Sequence, residues 1–252
     1  MEKIEYQRLH EREYIHWWNI GRRRVLEAAL ARNLKFSPTE RKVLDVGCGA
    51  GGNILFLKKF GRVTGFDISE EALSFSSDKG FSQLVLGRAE KMPFPNGSFG
   101  IVSALDCIEH IEDDEATLQE AYRVLKDDGT LLLTVPAHRW LWSRHDEALH
   151  HKRRYTTKDL RRKIQDAGFA LQEITHFVVP AIPFLLLQKI IRKIKKTLFP
   201  NREEVIDTYD VLLPSFLNES LIAWLAIEKA VMKRVPIPFG SSLLVVARKR
   251  GH

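Results

Sequence analysis

The chain contains the segment Lys42-Val43-Leu44-Asp45-Val46-Gly47-Cys48-Gly49-Ala50-Gly51-Gly52, in which a short β-forming run leads directly into a glycine-rich turn. Glycine lets the backbone come close to a ligand, and the helix after such a turn points free amide groups at that ligand. Strand, glycine turn and helix in this order are typical of nucleotide-binding α/β domains. The glycines alone do not identify the nucleotide, because Gly47, Gly49 and Gly52 also satisfy the dinucleotide pattern G-x-G-x-x-G.

Other β-forming runs alternate with helical segments along the chain. We predict strands at 42–46, 62–67, 83–86, 99–105 and 130–135, and a later pair at 170–178 and 242–248. The first strands are almost wholly apolar, as parallel strands buried on both faces are, and the helical segments supply the crossovers. The sequence therefore predicts a doubly wound, Rossmann-like α/β fold, with the late pair forming an antiparallel edge.

The composition favours a single domain in a reducing compartment. At 252 residues we predict a single domain, with an N-terminal helical cap at 1–40, a core at 41–178, a helical insertion at 179–235 and the last strand at 236–252. Only two cysteines are present, Cys48 within the glycine turn and Cys107, which indicates free thiols. No secretory signal or membrane-spanning run is recognised, so we expect a cytoplasmic protein.

Two aspartates help to distinguish the cofactors that such a turn can bind. Asp67 ends the second predicted strand, where a carboxylate accepts hydrogen bonds from ribose hydroxyl groups. Asp45 precedes the first glycine by two positions, where it would face a pyrophosphate unfavourably. A carboxylate there can instead accept from the ammonium group of S-adenosylmethionine, or tie the turn through backbone amides.

Five segments in order resemble the successive motifs of class I S-adenosylmethionine-dependent methyltransferases of the ubiquinone/menaquinone-biosynthesis-like type. They are Val43 to Gly51, Gly65-Phe66-Asp67-Ile68-Ser69, Ala89-Glu90-Lys91-Met92-Pro93-Phe94, Phe99-Gly100-Ile101-Val102-Ser103, and Arg123-Val124-Leu125-Lys126 with Gly129. The resemblance covers roughly the middle half of the chain. It implies S-adenosyl-L-methionine as the cofactor and a seven-stranded sheet whose last strand is antiparallel.

The resemblance also implies which residues contact the cofactor. Asp67 would bind the ribose, Ile68 would pack on the adenine, and Ala89 with Glu90 would lie beside the adenine edge. The other expected cofactor contacts are Asp45, Gly47, Cys48, Gly49 and Leu105. Arg88 stands where the family often has an aspartate that accepts from the adenine amino group, and arginine cannot accept a hydrogen bond. Adenine recognition would therefore use Glu90 or the main chain.

The candidate catalytic residues are Asp106, His110 and His145. The first two lie in Leu105-Asp106-Cys107-Ile108-Glu109-His110, which follows the fourth predicted strand and so falls at the carboxyl edge of the sheet. A histidine or carboxylate near the transferred methyl group is needed as a base only when the acceptor is an un-ionised hydroxyl or amine. His110 could equally be satisfied by its neighbours. The Asn/Asp-Pro-Pro-aromatic motif of exocyclic amine methyltransferases is absent, which favours an oxygen acceptor, with carbon or another nitrogen next.

A metal-dependent alternative rests on the same segment. Asp106, Glu109 and His110 resemble the E-x-x-E-H arrangement of certain metal-dependent O-methyltransferases, and His138 after the fifth strand could supply a fourth ligand. Many relatives carry Glu-His without a metal, so our site assignment contains no metal.

A loop from Pro136 to Tyr155 is rich in histidine, tryptophan and basic residues. It follows the fifth strand, so we expect it to fold over the acceptor as a lid, with His145 or Arg154 contacting an anionic group. A packed loop with a minor tryptophan core and solvated arginines is the alternative.

The segment 184–199 is apolar on one helical face and basic on the other, and the chain carries a net charge of +7. This is typical of a helix on an anionic membrane surface, at the inner face for a cytoplasmic protein, or of a helix that covers the sheet or a second copy. We expect a small-molecule or lipid-linked acceptor and no DNA partner.

The sequence thus predicts a methyltransferase, EC 2.1.1.-, that methylates a small or lipid-linked acceptor at oxygen. Three alternatives stay open. One is an RNA-modifying methyltransferase, supported by charge alone, and another is an NAD-dependent dehydrogenase, disfavoured by Asp45 and the late antiparallel strand. The third is a non-catalytic partner protein that binds S-adenosylmethionine.

Overall fold

The structure is a computed structural model that describes residues 16–34, 41–198 and 214–251. The helices are α1 (Trp17–Asn33), α2 (Ile54–Leu57), α3 (Glu70–Asp78), α4 (Asp114–Val124), α5 (Arg144–Ala148), α6 (Thr157–Asp166), α7 (Ala181–Leu198) and α8 (Ser215–Met232). The strands are β1 (Lys42–Val46), β2 (Arg62–Asp67), β3 (Leu84–Leu86), β4 (Phe99–Leu105), β5 (Leu125–Pro136), β6 (Phe169–Phe177) and β7 (Ser242–Lys249).

These strands form one sheet of seven in the order β3-β2-β1-β4-β5-β7-β6. The first five strands pair in parallel, and β7 lies antiparallel between β5 and β6. The predicted Rossmann-like sheet with an antiparallel last strand is therefore confirmed. The order reverses on the two sides of β1, which opens a crevice at the carboxyl ends of β1 and β4.

Each face of the sheet is covered by its own set of helices. Successive strand residues point to opposite faces, so Leu44 joins the core under α4 and α6, whereas Val43 joins the core under α1, α2 and α8. Both residues are fully buried. This double cover explains why the central strands read as unbroken apolar runs.

The N-terminal helix and the insertion pack against one another on one face. A Cβ atom at Gly21 of α1 would lie 2.1 Å from Cδ1 of Leu225 on α8, so only glycine permits this approach. Glu228 of α8 is buried and accepts from the backbone N–H groups of Val178 and Val179 at 2.7 and 2.9 Å. The predicted division into cap, core, insertion and last strand stays a prediction, and its segments 1–15, 35–40 and 199–213 and residue 252 lie outside the described residues.

The bounds of β5 differ most from the sequence prediction. The strand begins at Leu125, which pairs with Phe99, and the register then shifts before Ile101 pairs with Thr130. Asp128 has a φ of +60°, so the chain bulges at exposed residues and then resumes the strand. The hydrophobic pattern reveals only the regular part after this bulge.

Helix α7 presents much of its apolar side to solvent. Its exposed apolar residues are Phe184, Leu186, Leu187, Ile190, Ile191, Ile194 and Leu198. Across the part of the chain that the structure describes, no helix has both the length and the apolar character needed to cross a membrane.

Candidate active site

The glycine turn lies at the crevice and is held open by backbone conformation. Gly47, Gly49 and Gly51 have φ values of +68°, +53° and +83°, in the left-handed region that favours glycine. A Cβ atom at Gly49 would meet nothing within 4 Å, so this residue faces open space. The turn therefore offers bare backbone to a ligand at Gly49.

Asp67 orders this turn from the end of β2. Its Oδ2 accepts from the backbone N–H of Gly49 at 2.8 Å, and its Oδ1 accepts from that of Ser69 at 2.9 Å. Each carboxylate oxygen can accept further bonds, so Asp67 can also receive ribose hydroxyl groups. Ser69 in turn caps α3 by accepting from Ala72 at 3.2 Å.

Asp45 is buried at the base of the crevice with half of its carboxylate unsatisfied. It pairs in register with Ser103 of β4, whose hydroxyl donates to Oδ1 at 2.8 Å. Oδ2 is buried without a hydrogen-bond partner among the described residues. Burial raises the pKa of Asp45 to about 7, against opposing effects of Ser103 and Arg22. A cationic group entering the crevice would satisfy this oxygen.

The turn after β4 packs directly on the glycine turn. A Cβ atom at Gly47 would lie 2.5 Å from Sγ of Cys107, so the two turns touch at this point. Burial raises the pKa of the Cys107 thiol well above its usual value, with Glu109, Asp67 and Asp45 adding to the effect. Burial likewise raises the pKa of the Cys48 thiol, and both cysteines are free. These thiols are therefore protonated packing groups at neutral pH.

The predicted adenine contacts differ in their exposure to solvent. Ile68 is 62% exposed, so its apolar side chain is available to pack on a ligand. Ala89 and Leu105 are buried. Glu90 forms an ion pair with Arg88 at 2.9 Å. Arg88 stands where the family often has an aspartate, and Glu90 is the residue that we expect to recognise the adenine instead.

Asp106 is fixed by two neighbouring elements. Its φ of +52° is rare for a residue other than glycine, and its backbone N–H donates to the carbonyl and hydroxyl oxygens of Thr134 on β5. Its Oδ2 lies 2.7 Å from Nη2 of Arg22 on α1. Sequence reasoning did not single out Arg22 for this role, because no local pattern joins it to β4.

Glu109, His110 and His151 come together beside Asp106. Glu109 is fully buried, and neither of its carboxylate oxygens has a partner among the described residues. Burial raises the pKa of Glu109 well above its usual value, with Asp106 adding to the effect. Burial, with a smaller effect of His151, lowers the pKa of His110 to about 4. His151 lies in the loop from Pro136 to Tyr155, called the lid loop below, and was not singled out from the sequence.

The lid loop is organised by a buried aspartate. Asp146 accepts from Ser143 at the start of α5, from His151 Nδ1 at 2.9 Å, and from Arg154 Nε and Nη2 at 2.7 and 3.0 Å. Arg154 also donates to the carbonyl of Ala137 at 3.0 Å. The alternative that Arg154 is solvated is therefore wrong, because its guanidinium group is buried in this ion pair, whereas its contact with an anionic acceptor stays a prediction.

The other loop histidines occupy different positions. His145 lies on α5, half-buried, and the structure does not place it in the Glu109 group. His138 has a φ of +60° and stacks on His176 with ring centroids 5.0 Å apart. The idea that His138 completes a metal site with Asp106 is therefore wrong: His138 lies in an aromatic group with Trp140 and Phe239.

A cavity of about 610 Å³ lies between this loop and helix α6. It is lined by Arg139, Trp142, Lys152, Arg153, Arg154, Asp159, Arg162 and Lys163. Several of its cations are already neutralised, as Lys163 is by Asp114 at 2.8 Å and Glu115 at 2.9 Å. These ion pairs reduce the positive charge that the cavity can offer to an anion.

Comparison with known proteins finds methyltransferases that are similar to the α/β core of the chain. Residues 44–133 match the sequence model of a family described as a methyltransferase domain. The chain is 36% identical over 108 residues to ajmaline N-methyltransferase from Rauvolfia serpentina, an alignment of 39% of this chain and 37% of that protein. It is 36% identical over 116 residues to demethylmenaquinone methyltransferase from Chlorobaculum tepidum, covering 45% of this chain and 48% of that protein. The chain thus spans less than half the length of either relative.

The similarity in fold extends further than the similarity in sequence. A solved structure of phosphoethanolamine N-methyltransferase 2 from Haemonchus contortus, in complex with S-adenosyl-L-methionine, superposes with a TM-score of 0.56 at 18% identity. The superposition covers 100% of this chain and 60% of that one. At this identity, the likeness concerns the fold alone.

Proposed function

We propose that this chain, which has the class I methyltransferase fold and carries the methyltransferase domain at residues 44–133, is an enzyme that uses S-adenosyl-L-methionine as methyl donor. One observation carries the proposal: the unpartnered Oδ2 of Asp45 is buried at the base of a crevice that Gly49 leaves open. The donor's ammonium group supplies the cation that this oxygen lacks. A nicotinamide dinucleotide would bring a pyrophosphate toward the same carboxylate.

The residues around the crevice fit the remaining parts of this donor. Asp67 would accept from the ribose hydroxyl groups while it keeps the turn in place. Ile68 offers an exposed apolar side chain to one face of the adenine, and Ala89 and Glu90 would lie along its edge. Gly47, Cys48 and Gly49 would approach with their backbone, and Leu105 would close the crevice from β4.

When bound, the donor supplies a methyl group on a positively charged sulfur atom. The chain's own contribution is then mainly to position the acceptor, which can supply about 7 to 11 kcal/mol of the barrier. The lid loop, fixed by Asp146 and Arg154, excludes water from the carboxyl edge.

On the acceptor side we propose Asp106, His110 and His145. Asp106 is ion-paired with Arg22, so it is suited to orienting neighbouring groups. A histidine whose pKa is about 4 is neutral at pH 7 and takes up a proton weakly, so His110 suits binding better than general base catalysis. His145 lies on the lid, where it can contact an acceptor that enters from outside.

For the acceptor we propose a small or lipid-linked molecule that is methylated at oxygen. Helix α7 supports the lipid-linked class, because Leu187, Ile190 and Ile194 are exposed on it while the sequence provides basic residues on the other face. The side chain of Lys189 on the same helix donates to the backbone carbonyl of Trp140 in the lid loop. A helix resting on an anionic membrane would therefore bring the lid close to lipid-borne acceptors.

Methyl transfer to a cell extract tests the proposed activity. Purified protein and radiolabelled methyl donor are incubated with extract, which is then separated into lipid, small-molecule, protein and RNA fractions. We expect label in the lipid or small-molecule fraction, and much less label with the Asp67→Ala variant. Label confined to RNA would replace this acceptor class with an RNA substrate, and no label in any fraction would contradict the activity.

Co-sedimentation with vesicles tests the membrane contact. We expect the protein to sediment with phosphatidylglycerol vesicles at low salt and not with phosphatidylcholine vesicles. The double variant Ile190→Asp with Ile194→Asp should stay in the supernatant, whereas the matched change of exposed Asp127→Asn should behave as wild type. The membrane contact would be contradicted if all three proteins sedimented equally, or if the wild-type protein did not sediment with the vesicles.

A further inference from the structure

We propose that Glu109, His110 and His151 form a binding site for a divalent transition metal ion, with Zn²⁺ the best match. The binding of a metal here does not depend on the methyl donor. The proposal therefore goes beyond the proposed function and can be tested separately.

The three side chains converge although they come from two distant parts of the chain. One ligand atom from each of them lies within 4.8 Å of the others. The rings of His110 and His151 meet edge to face, with centroids 4.7 Å apart. Small adjustments of side-chain torsions would bring the three atoms to the 2.0–2.2 Å distances of a zinc site.

The buried carboxylate supplies the independent indication of a ligand. Glu109 is 0% exposed, and both of its oxygens lack a hydrogen-bond partner in the described part of the chain. A buried carboxyl group with no partner costs stability, and proteins normally satisfy such groups or use them. A divalent cation would give this carboxylate the partner that it lacks.

Each histidine is held by an outer partner, as metal-binding histidines usually are. Nδ1 of His151 lies 2.9 Å from Oδ1 of Asp146, which Arg154 holds in turn. The ring of His110 is hydrogen-bonded to the backbone carbonyl of His150. These bonds fix the orientation of both rings and leave one nitrogen of each ring for a metal.

The donor set indicates which metal fits. Two imidazole nitrogens and one carboxylate are the ligands of many zinc sites, and they suit zinc better than the all-oxygen environments that Mg²⁺ and Ca²⁺ prefer. Three protein ligands leave a fourth tetrahedral position for water or another oxygen.

The position of the group gives the open coordination site a use. Glu109 and His110 follow Cys107, which packs on Gly47 of the glycine turn. If the chain is the methyltransferase proposed above, on which this step rests, the fourth position would hold the acceptor oxygen beside the donor. A hydroxyl group bound to a metal ionises more readily than a free one. The reaction would then need no strong base, and His110 is a weak one.

Cobalt and zinc titrations of the untagged, chelator-treated protein test the site. We expect one equivalent of Co²⁺ to bind with the visible absorption of a tetrahedral site, and Zn²⁺ to displace it. X-ray absorption at the zinc edge should show two imidazole rings per metal. Glu109→Gln and His110→Ala should lose stoichiometric binding, whereas the exposed neighbour His150→Asn should keep it, since asparagine tolerates the φ of +56° there.

Several results would overturn the site. Wild-type protein that binds neither ion, zinc with no imidazole ligand, or equal loss in His150→Asn would each do so. Circular dichroism checks that the variants fold. If a variant does not fold, the absorption data of the wild-type protein alone test the site. Calorimetry with the methyl donor separates the two proposals: donor binding without metal binding contradicts this site alone, and metal binding without donor binding contradicts the proposed function.

Discussion

Nη2 of Arg22 lies 2.7 Å from Oδ2 of Asp106, so the N-terminal helix is ion-paired to the turn that follows β4. The same guanidinium group donates to the hydroxyl of Thr134 at 3.3 Å and to the side-chain oxygen of Asn53 at 3.4 Å. One arginine thus joins α1 to three segments that border the crevice. The helix that precedes the α/β core is therefore a part of the site.

Replacing this arginine should destabilise the protein. In Arg22→Met the carboxylate of Asp106 would remain largely buried without its cation, and we expect a loss of about 2 kcal/mol in the free energy of unfolding. The figure lies below that for fully buried pairs because the Asp106 side chain is 28% exposed. Urea unfolding measures it, with exposed Arg24→Met as the matched control. The double variant Arg22→Met with Asp106→Asn should recover part of the loss, and equal effects of Arg22→Met and Arg24→Met would show that the pair contributes nothing.

The two central glycines should fail in different ways when changed to alanine. At Gly47 the new Cβ atom would lie 2.5 Å from Cys107 Sγ, whereas at Gly49 it would meet nothing within 4 Å. Both changes incur about 1 kcal/mol for a positive φ. We expect a much larger loss of stability in Gly47→Ala, partly restored by Cys107→Ala, and a loss of donor binding with modest destabilisation in Gly49→Ala. Thermal unfolding and calorimetry would contradict this if Gly49→Ala bound the donor as wild type does.

Asp45 should lower the stability of the ligand-free protein above neutral pH. An aspartate ionises near pH 3.9 in an unfolded chain, whereas burial raises the pKa of Asp45 to about 7 in the folded protein. Because the folded state holds this proton more tightly, its contribution falls as pH rises between these values and stays low above pH 7.

The Asp45→Asn variant removes this pH dependence. At about pH 8 we expect it to be more stable than wild type by roughly 1 to 3 kcal/mol, with little difference at about pH 4.5. It should also bind the methyl donor weakly, because the carboxylate is gone. Urea unfolding at both pH values measures the effect, with Asp127→Asn as control, and a variant that is less stable at the higher pH would refute it.

Asp114 should have the opposite dependence on pH. Burial alone would raise its pKa, but hydrogen bonds from Lys163 and Tyr155 outweigh burial and lower the pKa of Asp114. The stabilisation is fully present above the unfolded pKa, near 3.9, and is lost as pH falls toward the lower folded value. Asp114→Asn should therefore cost stability at neutral pH, and its deficit should shrink in acid. Exposed Asp78→Asn should show no such trend, and a deficit that is constant with pH would count against the assignment.

The sheet could be predicted because it depends on local sequence, whereas the donor side of the site, which rests on local motifs, stays a prediction. The apolar runs and the helical segments between them indicated the strands. Asp45 and Asp67 were found from their spacing along the sequence relative to the glycines. The resemblance to the methyltransferase motifs added the antiparallel last strand. The irregular start of β5 could not be predicted, because the bulge at Asp128 breaks the pattern on which strand prediction depends.

The acceptor side depends on contacts between distant segments. His151 meets Glu109 only because the lid loop folds back after β5, and Arg22 meets Asp106 only because α1 packs across the sheet. The sequence did not reveal that His138 stacks on His176, because the two residues lie on segments that are distant along the chain. Asp146 lies five positions before His151 and is hydrogen-bonded to it. The sequence shows this spacing, but no periodicity shows that the aspartate is buried.

Isothermal titration of the purified chain with S-adenosylmethionine and with its demethylated product tests the central claim most directly. We predict one binding site per chain for each ligand, with affinity reduced by about tenfold or more in Asp67→Ala, since a hydrogen bond to a charged group is lost. Binding of neither ligand by the folded wild-type protein would contradict the account.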